Sequence, residues 1–122
     1  MLHAAYNDFA GVTAEFNRNM LRVLNRELGA DFNTDAFAHH ACFNPRESRI
    51  EMHQIAREPQ TVSLGCLGTT LHFAEGDGIQ TEISRKFSRA ALEAMLVEAG
   101  FAIERHFESR APTFSLVLAR PA

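Results

Sequence analysis

The chain has 122 residues, 46% of them hydrophobic, and a formal net charge of -3. This length and apolar content suit one globular domain with a buried core and exclude a disordered segment. The six histidines are scattered and no basic stripe is present, so nucleic acid is not an expected partner.

The sequence shows neither a signal peptide nor a membrane span. Its apolar runs all fall short of the ~18 residues that a spanning helix needs. Cys42 and Cys66 do not form a CxxC pair, and no charged n-region with an apolar stretch opens the chain. We therefore expect a reduced, cytoplasmic setting and no membrane partner.

The first predicted element is a long amphipathic helix. Asn7 and Asp8 are candidate caps at its start, and Gly29 stands where a left-handed residue would end it. A short second helix is predicted next, capped by Asn33 or Thr34 and running through Phe37 to His40. The predicted buried stripe of the long helix follows three- and four-residue spacing and comprises Phe9, Val12, Phe16, Met20, Val23, Leu24 and Leu28.

Alternating patterns and short turns then predict an antiparallel β meander. Its strands are Arg49 to Arg57, Thr61 to Leu64, Thr69 to Phe73, and Ile79 to Ser84. Because side chains alternate along a strand, the last strand is expected to present two different faces. One face comprises Ile79, Thr81 and Ile83, and the other comprises Gln80, Glu82 and Ser84.

A helix and two strands are predicted at the end of the chain. Ser88 is a plausible cap for the helix, which ends at Gly100. The strands Ala102 to Glu108 and Thr113 to Arg120 have apolar residues on both faces, as in a sheet that is covered on both sides. The predicted class is α+β: a long helix packed on an antiparallel meander, followed by a helix and a β-hairpin.

The sequence contains no specific catalytic or metal-binding pattern. His39 and His40 lie near Cys42, but neither an HExxH motif nor paired cysteines are present, so no metal site is expected. The glycines at 65–68 and 76–78 indicate turns rather than phosphate-binding loops. No GxSxG elbow occurs, and no residue is identified as a general base or as catalytic.

Three separated stretches carry a resemblance to a known family: Ala5 to Asn17, Ser48 to Met52, and Thr81 to Phe87. In order and spacing they resemble the C-terminal part of the histidine-specific N-methyltransferases of ergothioneine biosynthesis, which use S-adenosylmethionine (SAM). The resemblance covers nearly all of the single domain 1-122. Residues 1-87 resemble the substrate-binding part, and residues 88-122 resemble the helix and hairpin that end a class I methyltransferase sheet.

The resemblance also implies a set of site residues. Tyr6 would hydrogen-bond the substrate amino acid, Glu82 and Ser84 would contact its imidazole, and Met52 and Thr13 would form the pocket wall. A carboxylate accepts an imidazole N–H, and a hydroxyl serves the other ring nitrogen as donor or acceptor. Structural roles remain open: a solvated strand face for Glu82 and Ser84, a helix entrance for Tyr6, and core packing for Met52 and Thr13.

Two functional hypotheses follow. In the first, the chain is the histidine-binding part of a SAM-dependent methyltransferase and is inactive alone, because the upstream cofactor-binding core has no counterpart here. SAM would then serve the full-length family and not this chain, and the partners would be L-histidine, its methylated forms and the missing core. In the second, the chain is a non-catalytic binding or assembly module that forms a homodimer through an open sheet edge.

Overall fold

The computed structural model describes residues 6–110 and 114–122, so Ala5 and Thr113 lie outside the described residues. The chain divides into two compact units, Met1–Arg85 and Lys86–Ala122. Helices and antiparallel strands occur in both units, which confirms the α+β class. Neither of the two α-helices in the described part of the chain is long and apolar enough to cross a membrane.

The first helix, α1, spans Val12–Leu28. It begins after Gly11, whose φ of 72° is left-handed, and the Asp8 carboxylate accepts hydrogen bonds from the N–H groups of Val12 and Thr13 at 2.9 Å each. It ends at Gly29, which is also left-handed with a φ of 57°. The roles predicted for Asp8 and Gly29 are therefore confirmed.

The buried face of α1 differs from the predicted stripe. Val12, Phe16 and Met20 are 69%, 60% and 42% exposed, whereas Asn17 and Leu21 are 1% and 0% exposed. The helix is rotated by about one residue relative to the expectation, so that a buried asparagine and not a phenylalanine faces the sheet. Hydrogen bonds to Asn17, described below, compensate for burying its amide.

The predicted helix from Phe37 to His40 is wrong. A single 3-10 turn, Thr34–Ala36, is capped by Asn33, whose Oδ1 accepts from the Asp35 N–H at 3.3 Å. Strand β1, Phe37–Asn44, follows directly and pairs along its whole length with the next strand. The buried Phe37 side chain and the ladder hydrogen bonds stabilise the extended form over the local helical pattern.

The remaining strands of the first unit are antiparallel but are not arranged in simple sequence order. Strands β2, Arg49–Ala56, and β5, Gly78–Arg85, complete a three-stranded sheet of order β1-β2-β5. Strands β3, Gln60–Leu64, and β4, Thr69–Phe73, form a separate hairpin. The predicted meander is therefore interrupted, because β2 pairs with β5 across the inserted hairpin.

A β-bulge changes the faces of β5. Gln80 pairs with His53, but Glu82 pairs with the next β2 residue, Met52, which leaves Thr81 as the extra residue. Ile79 and Glu82 consequently lie on the same face of the sheet, and the predicted alternation is wrong beyond Gln80. Ile83, which was expected to pack with Ile79, is 49% exposed.

The core of the first unit consists of two groups of side chains. In the first, edge-to-face aromatic contacts join Phe37 to Phe32 and Phe73 at centroid distances of 5.9 and 5.6 Å, around buried Leu21 and Val62. The second contains Ala41, Ile50 and Met52, with Tyr6 packed against it. This second group forms the apolar floor beneath the candidate site.

The second unit contains helix α2, Arg89–Glu98, and strands β6, Phe101–Glu108, and β7, Ser115–Pro121. The Ser88 hydroxyl accepts from the Ala91 N–H at 3.2 Å, so the predicted cap is confirmed. Helix α2 packs against β6, and β6 pairs with β7. Apolar side chains with exposures of 49%, 63% and 50% lie on the strands: Phe107, Leu116 and Leu118.

Candidate functional site

The candidate site is built around a contact between the segment that precedes α1 and the end of β5. The Tyr6 hydroxyl and the Ser84 hydroxyl lie 2.9 Å apart, and either can be the donor. The Tyr6 ring packs on the group that contains Met52, which is 2% exposed. The fold thus brings together Tyr6, Met52 and Ser84, which lie up to 78 positions apart in the sequence.

Glu82 lies on the same face of β5 as Ser84. Glu82 is opposite Met52 and Ser84 is opposite Ile50, and both of these β2 residues point into the core. The Glu82 side chain is half-buried. Within residues 6–110 and 114–122 its carboxylate has no hydrogen-bond or ion-pair partner, so its acceptor oxygens remain available to a ligand.

Two side-chain hydrogen bonds fix the chain around Tyr6 to β1. The His39 Nε2 atom lies 2.8 Å from the Tyr6 carbonyl oxygen, and Asn7 Nδ2 donates to the Ala41 carbonyl at 3.1 Å. Asn7 was one of the two candidate caps of α1, and its side-chain amide attaches this segment to β1. The position of the Tyr6 ring is therefore set by strand β1 as well as by its own packing.

Asn17 connects α1 to all three strands of the sheet. Its Nδ2 donates to the His53 carbonyl at 2.9 Å and lies 2.9 Å from His39 Nδ1. The Thr81 hydroxyl, turned inward by the bulge, lies within hydrogen-bonding distance of Asn17 Oδ1 and of the Met52 carbonyl. The buried side-chain amide of Asn17 thus contacts β1, β2 and β5 and helps to hold them in place relative to one another.

Thr13 occupies the first turn of α1, beside Asp8. Its backbone N–H donates to Asp8 Oδ1, and this bond, the Thr13 side chain and the Val12 N–H together lower the pKa of Asp8 from 3.8 to about 2. These contacts give Thr13 a role in capping the helix. Its predicted place in the pocket wall stays a prediction.

For Asn17 the sequence predicts no role, and for His39 it favours a surface or partly buried histidine over a metal site. A usable signal was present, since Thr13, Asn17, Leu21, Leu24 and Leu28 follow one another at helical spacing. The first two residues of this row are polar, so the apolar stripe predicted from spacing does not include them. For His39, the sequence contains no comparable signal because its partners lie on other elements.

Two cavities lie away from these residues in the described part of the chain. The first, of about 350 Å³, is apolar and lies between α1 and the β3–β4 hairpin, where it is lined by Leu24, Phe32, Leu64 and Phe73. The second, of about 340 Å³, lies within the second unit and is lined by Arg89, Leu92, Glu108 and Phe114. Neither includes a residue of the predicted site.

The whole chain matches a known family. The model of the histidine-specific, SAM-dependent methyltransferases matches residues 1–121. The chain belongs to this family. It is also similar to the histidine N-alpha-methyltransferases of Mycolicibacterium smegmatis and Mycobacterium tuberculosis, with 48% identity to each over 115 residues. The match covers 94% of this chain and 36% of each relative, so the chain spans about a third of their length, consistent with the C-terminal part of a family member.

The described residues do not fit the methyl donor that the family name implies. In class I enzymes a nucleotide cofactor binds at the carboxyl ends of parallel strands, where a glycine-rich turn leads into a helix. Every strand pair in residues 6–110 and 114–122 is antiparallel. The same residues contain no group of three or more side chains that could hold a metal ion.

Proposed function

We propose that this chain forms the histidine-binding part of a histidine N-alpha-methyltransferase and that the methyl-donor site is supplied by other parts of the enzyme. The observation that carries the proposal is the 2.9 Å contact between the Tyr6 and Ser84 hydroxyls, beside a half-buried Glu82 carboxylate without a partner in the described chain. The family membership supports histidine as the substrate.

Two groups with different hydrogen-bonding character would recognise the imidazole. The Glu82 carboxylate only accepts, so it selects a ring nitrogen that carries a proton. The Ser84 hydroxyl has one donor and two acceptor sites, so it can hold the Tyr6 hydroxyl and the second ring nitrogen together. A site that leaves buried polar groups unpaired with the wrong substrate can discriminate by roughly 10⁴-fold.

Tyr6 and Met52 would complete the site from two sides. The Tyr6 hydroxyl is close enough to Ser84 to reach the amino-acid part of a substrate whose ring lies between Glu82 and Ser84. Met52 is opposite Glu82 and would support the ring from the apolar floor. For Thr13 we propose an indirect contribution, through the helix start that follows the Tyr6 segment. Methyl transfer to the α-amine would then depend chiefly on how the substrate is positioned.

A chimera tests this proposal. The matching C-terminal segment of the Mycolicibacterium smegmatis relative is replaced by this chain, and kcat/KM is measured with L-histidine and other amino acids. We expect methylation of L-histidine and a loss of about 10- to 100-fold in kcat/KM for Glu82→Gln, because a hydrogen bond to a charged group contributes about 1.5–3 kcal/mol. Gln80→Leu, which alters the opposite face of β5, is the matched control and should leave kcat/KM unchanged.

The isolated chain provides the second arm of the same experiment. Without the rest of the enzyme it should neither methylate histidine nor release heat on titration with SAM in a calorimeter. If Glu82→Gln and Ser84→Ala both leave kcat/KM for histidine intact in a folded chimera, the proposed site is wrong. Stoichiometric SAM binding by the isolated chain would contradict the proposal that other parts of the enzyme supply the methyl-donor site.

A further inference from the structure

A continuous series of hydrogen bonds leads from the middle of α1 to the candidate site. Asn17 Nδ2 is 2.9 Å from His39 Nδ1, and His39 Nε2 is 2.8 Å from the Tyr6 carbonyl oxygen. The Tyr6 hydroxyl is in turn 2.9 Å from Ser84. His39 is therefore the single side chain in this series that joins the helix interior to the backbone of Tyr6.

The partners of His39 determine which of its nitrogens carries the proton. A carbonyl oxygen can only accept, so His39 Nε2 must donate to Tyr6. The orientation of the Asn17 amide is fixed because Nδ2 must also donate to the His53 carbonyl, at 2.9 Å. Asn17 Nδ2 consequently donates to His39 Nδ1, which carries no proton. His39 is thus held as one neutral tautomer by two elements of the fold.

We propose that His39 is a positioning residue, which sets the place of the Tyr6 hydroxyl through the Tyr6 backbone and so contributes to histidine recognition. This inference rests on the proposed function. The Tyr6 ring lies on the group of Ala41, Ile50 and Met52, which is apolar and gives its hydroxyl no directional contact. The hydrogen bond from His39 fixes the Tyr6 carbonyl group, which is bonded to the Cα from which the side chain extends, and so orients the ring for the hydroxyl contact with Ser84.

The composition of the chain provides a specific probe. Tyr6 is the one tyrosine and there is no tryptophan, so tyrosine fluorescence and the tyrosine band of the near-UV circular dichroism report on Tyr6 alone. We compare His39→Phe, which keeps a ring without donors, with His39→Gln, whose side-chain amide can place a donor near the position of Nε2. His40→Phe, at the neighbouring exposed position on the other face of β1, is the matched control.

We expect His39→Phe to lose the tyrosine dichroism band and to expose Tyr6 to acrylamide quenching, whereas His39→Gln and His40→Phe keep the wild-type signals. In the chimera, His39→Phe should raise KM for L-histidine about two- to tenfold, the range expected for one neutral hydrogen bond, with kcat changed less than about twofold. His39→Gln should restore the wild-type KM.

Several outcomes would overturn the inference. The Tyr6 signals could stay at wild-type level in a folded His39→Phe chain, or His39→Gln could lose them as fully as His39→Phe. An unchanged KM beside a lost Tyr6 signal would also overturn it, when Glu82→Gln lowers histidine turnover in the same chimera. If His39→Phe does not fold, as judged by far-UV dichroism, His39→Asn takes its place, since its shorter amide cannot reach the Tyr6 carbonyl. Failure of the proposed function alone would appear differently: the Tyr6 signals would respond, but Glu82→Gln would leave histidine turnover intact.

Discussion

Asp8 controls the start of α1 from a position four residues before the first helical residue, Val12. Its two carboxylate oxygens accept from the N–H groups of Val12 and Thr13, which would otherwise lack partners at a helix N-terminus. A negative charge is also favoured at this end of the helix dipole. These interactions favour the ionised form and lower the pKa of Asp8 from 3.8 to about 2.

The lowered pKa predicts an acid-sensitive contribution of Asp8 to stability. Because the pKa is lower in the folded state, the contribution is complete above about pH 4 and is lost as the pH falls towards 2. We expect Asp8→Ala to melt at a lower temperature than wild type at pH 7, and the difference to shrink between pH 4 and pH 2. Thermal unfolding across this range measures it, with Glu75→Ala as the control for loss of one charge. If the difference in melting temperature between wild type and Asp8→Ala stays constant down to pH 2, the capping role of Asp8 is contradicted.

Helix α1 shows how an element can be predicted while its buried face is not. The face that meets the sheet carries Asn17 and Leu21, and the row of Val12, Phe16 and Met20 is exposed in this chain. The polar centre around Asn17 belongs to the same layer as His39 and Thr81, so the helix orientation and the candidate site depend on each other.

The orientation of α1 predicts very different changes in the free energy of unfolding for two substitutions on this helix. Leu21→Ala removes a side chain that is fully buried and should lower the free energy of unfolding by about 2–5 kcal/mol. Phe16→Ala removes a larger side chain from the exposed face and should change it by no more than about 0.5 kcal/mol. Urea denaturation of the two variants is the measurement. A larger loss for Phe16→Ala would show that the predicted apolar stripe faces the core after all.

At the scale of the whole molecule, both units leave apolar side chains exposed. In the first unit these include Val12 and Phe16, and in the second they include Phe107, Leu116 and Leu118. Burial of such surface contributes roughly 25 cal/mol per Å². The chain spans 36% of the length of its relatives, which supports the proposal that these faces meet other parts of a full-length enzyme.

For the isolated chain, the exposed face of β6 and β7 predicts self-association, most simply as a two-fold dimer. Light scattering at micromolar concentration should give about twice the mass of 13.6 kDa. Leu116→Lys should shift the population towards monomer, because a charge would have to be buried in the interface. Ser115→Lys adds the same charge one residue away on the opposite face and should not. A wild-type chain that stays monomeric and melts cooperatively would exclude this interface.

The sequence alone determined the class of the fold, the presence of α1 and α2, the capping residues Asp8, Gly29 and Ser88, and the family. The helices and their caps follow from local signals, namely the spacing of apolar residues and the chemistry of the capping residues. The family follows from the order and spacing of motifs along the chain. The sequence also named Tyr6, Met52, Glu82 and Ser84 as one site, an assignment that remains a prediction.

Only the tertiary structure decided that Phe37 starts a strand, which face of α1 is buried, and that Glu82 shares a face with Ile79. Each of these depends on partners distant in the sequence. Ladder hydrogen bonds to β2 outweigh a weak helical pattern, a β-bulge reverses the alternation of side chains beyond Gln80, and three strands together satisfy the amide of Asn17. The hydrophobic pattern of a single segment does not specify these interactions, because a buried polar residue is stabilised by partners that the segment itself does not contain.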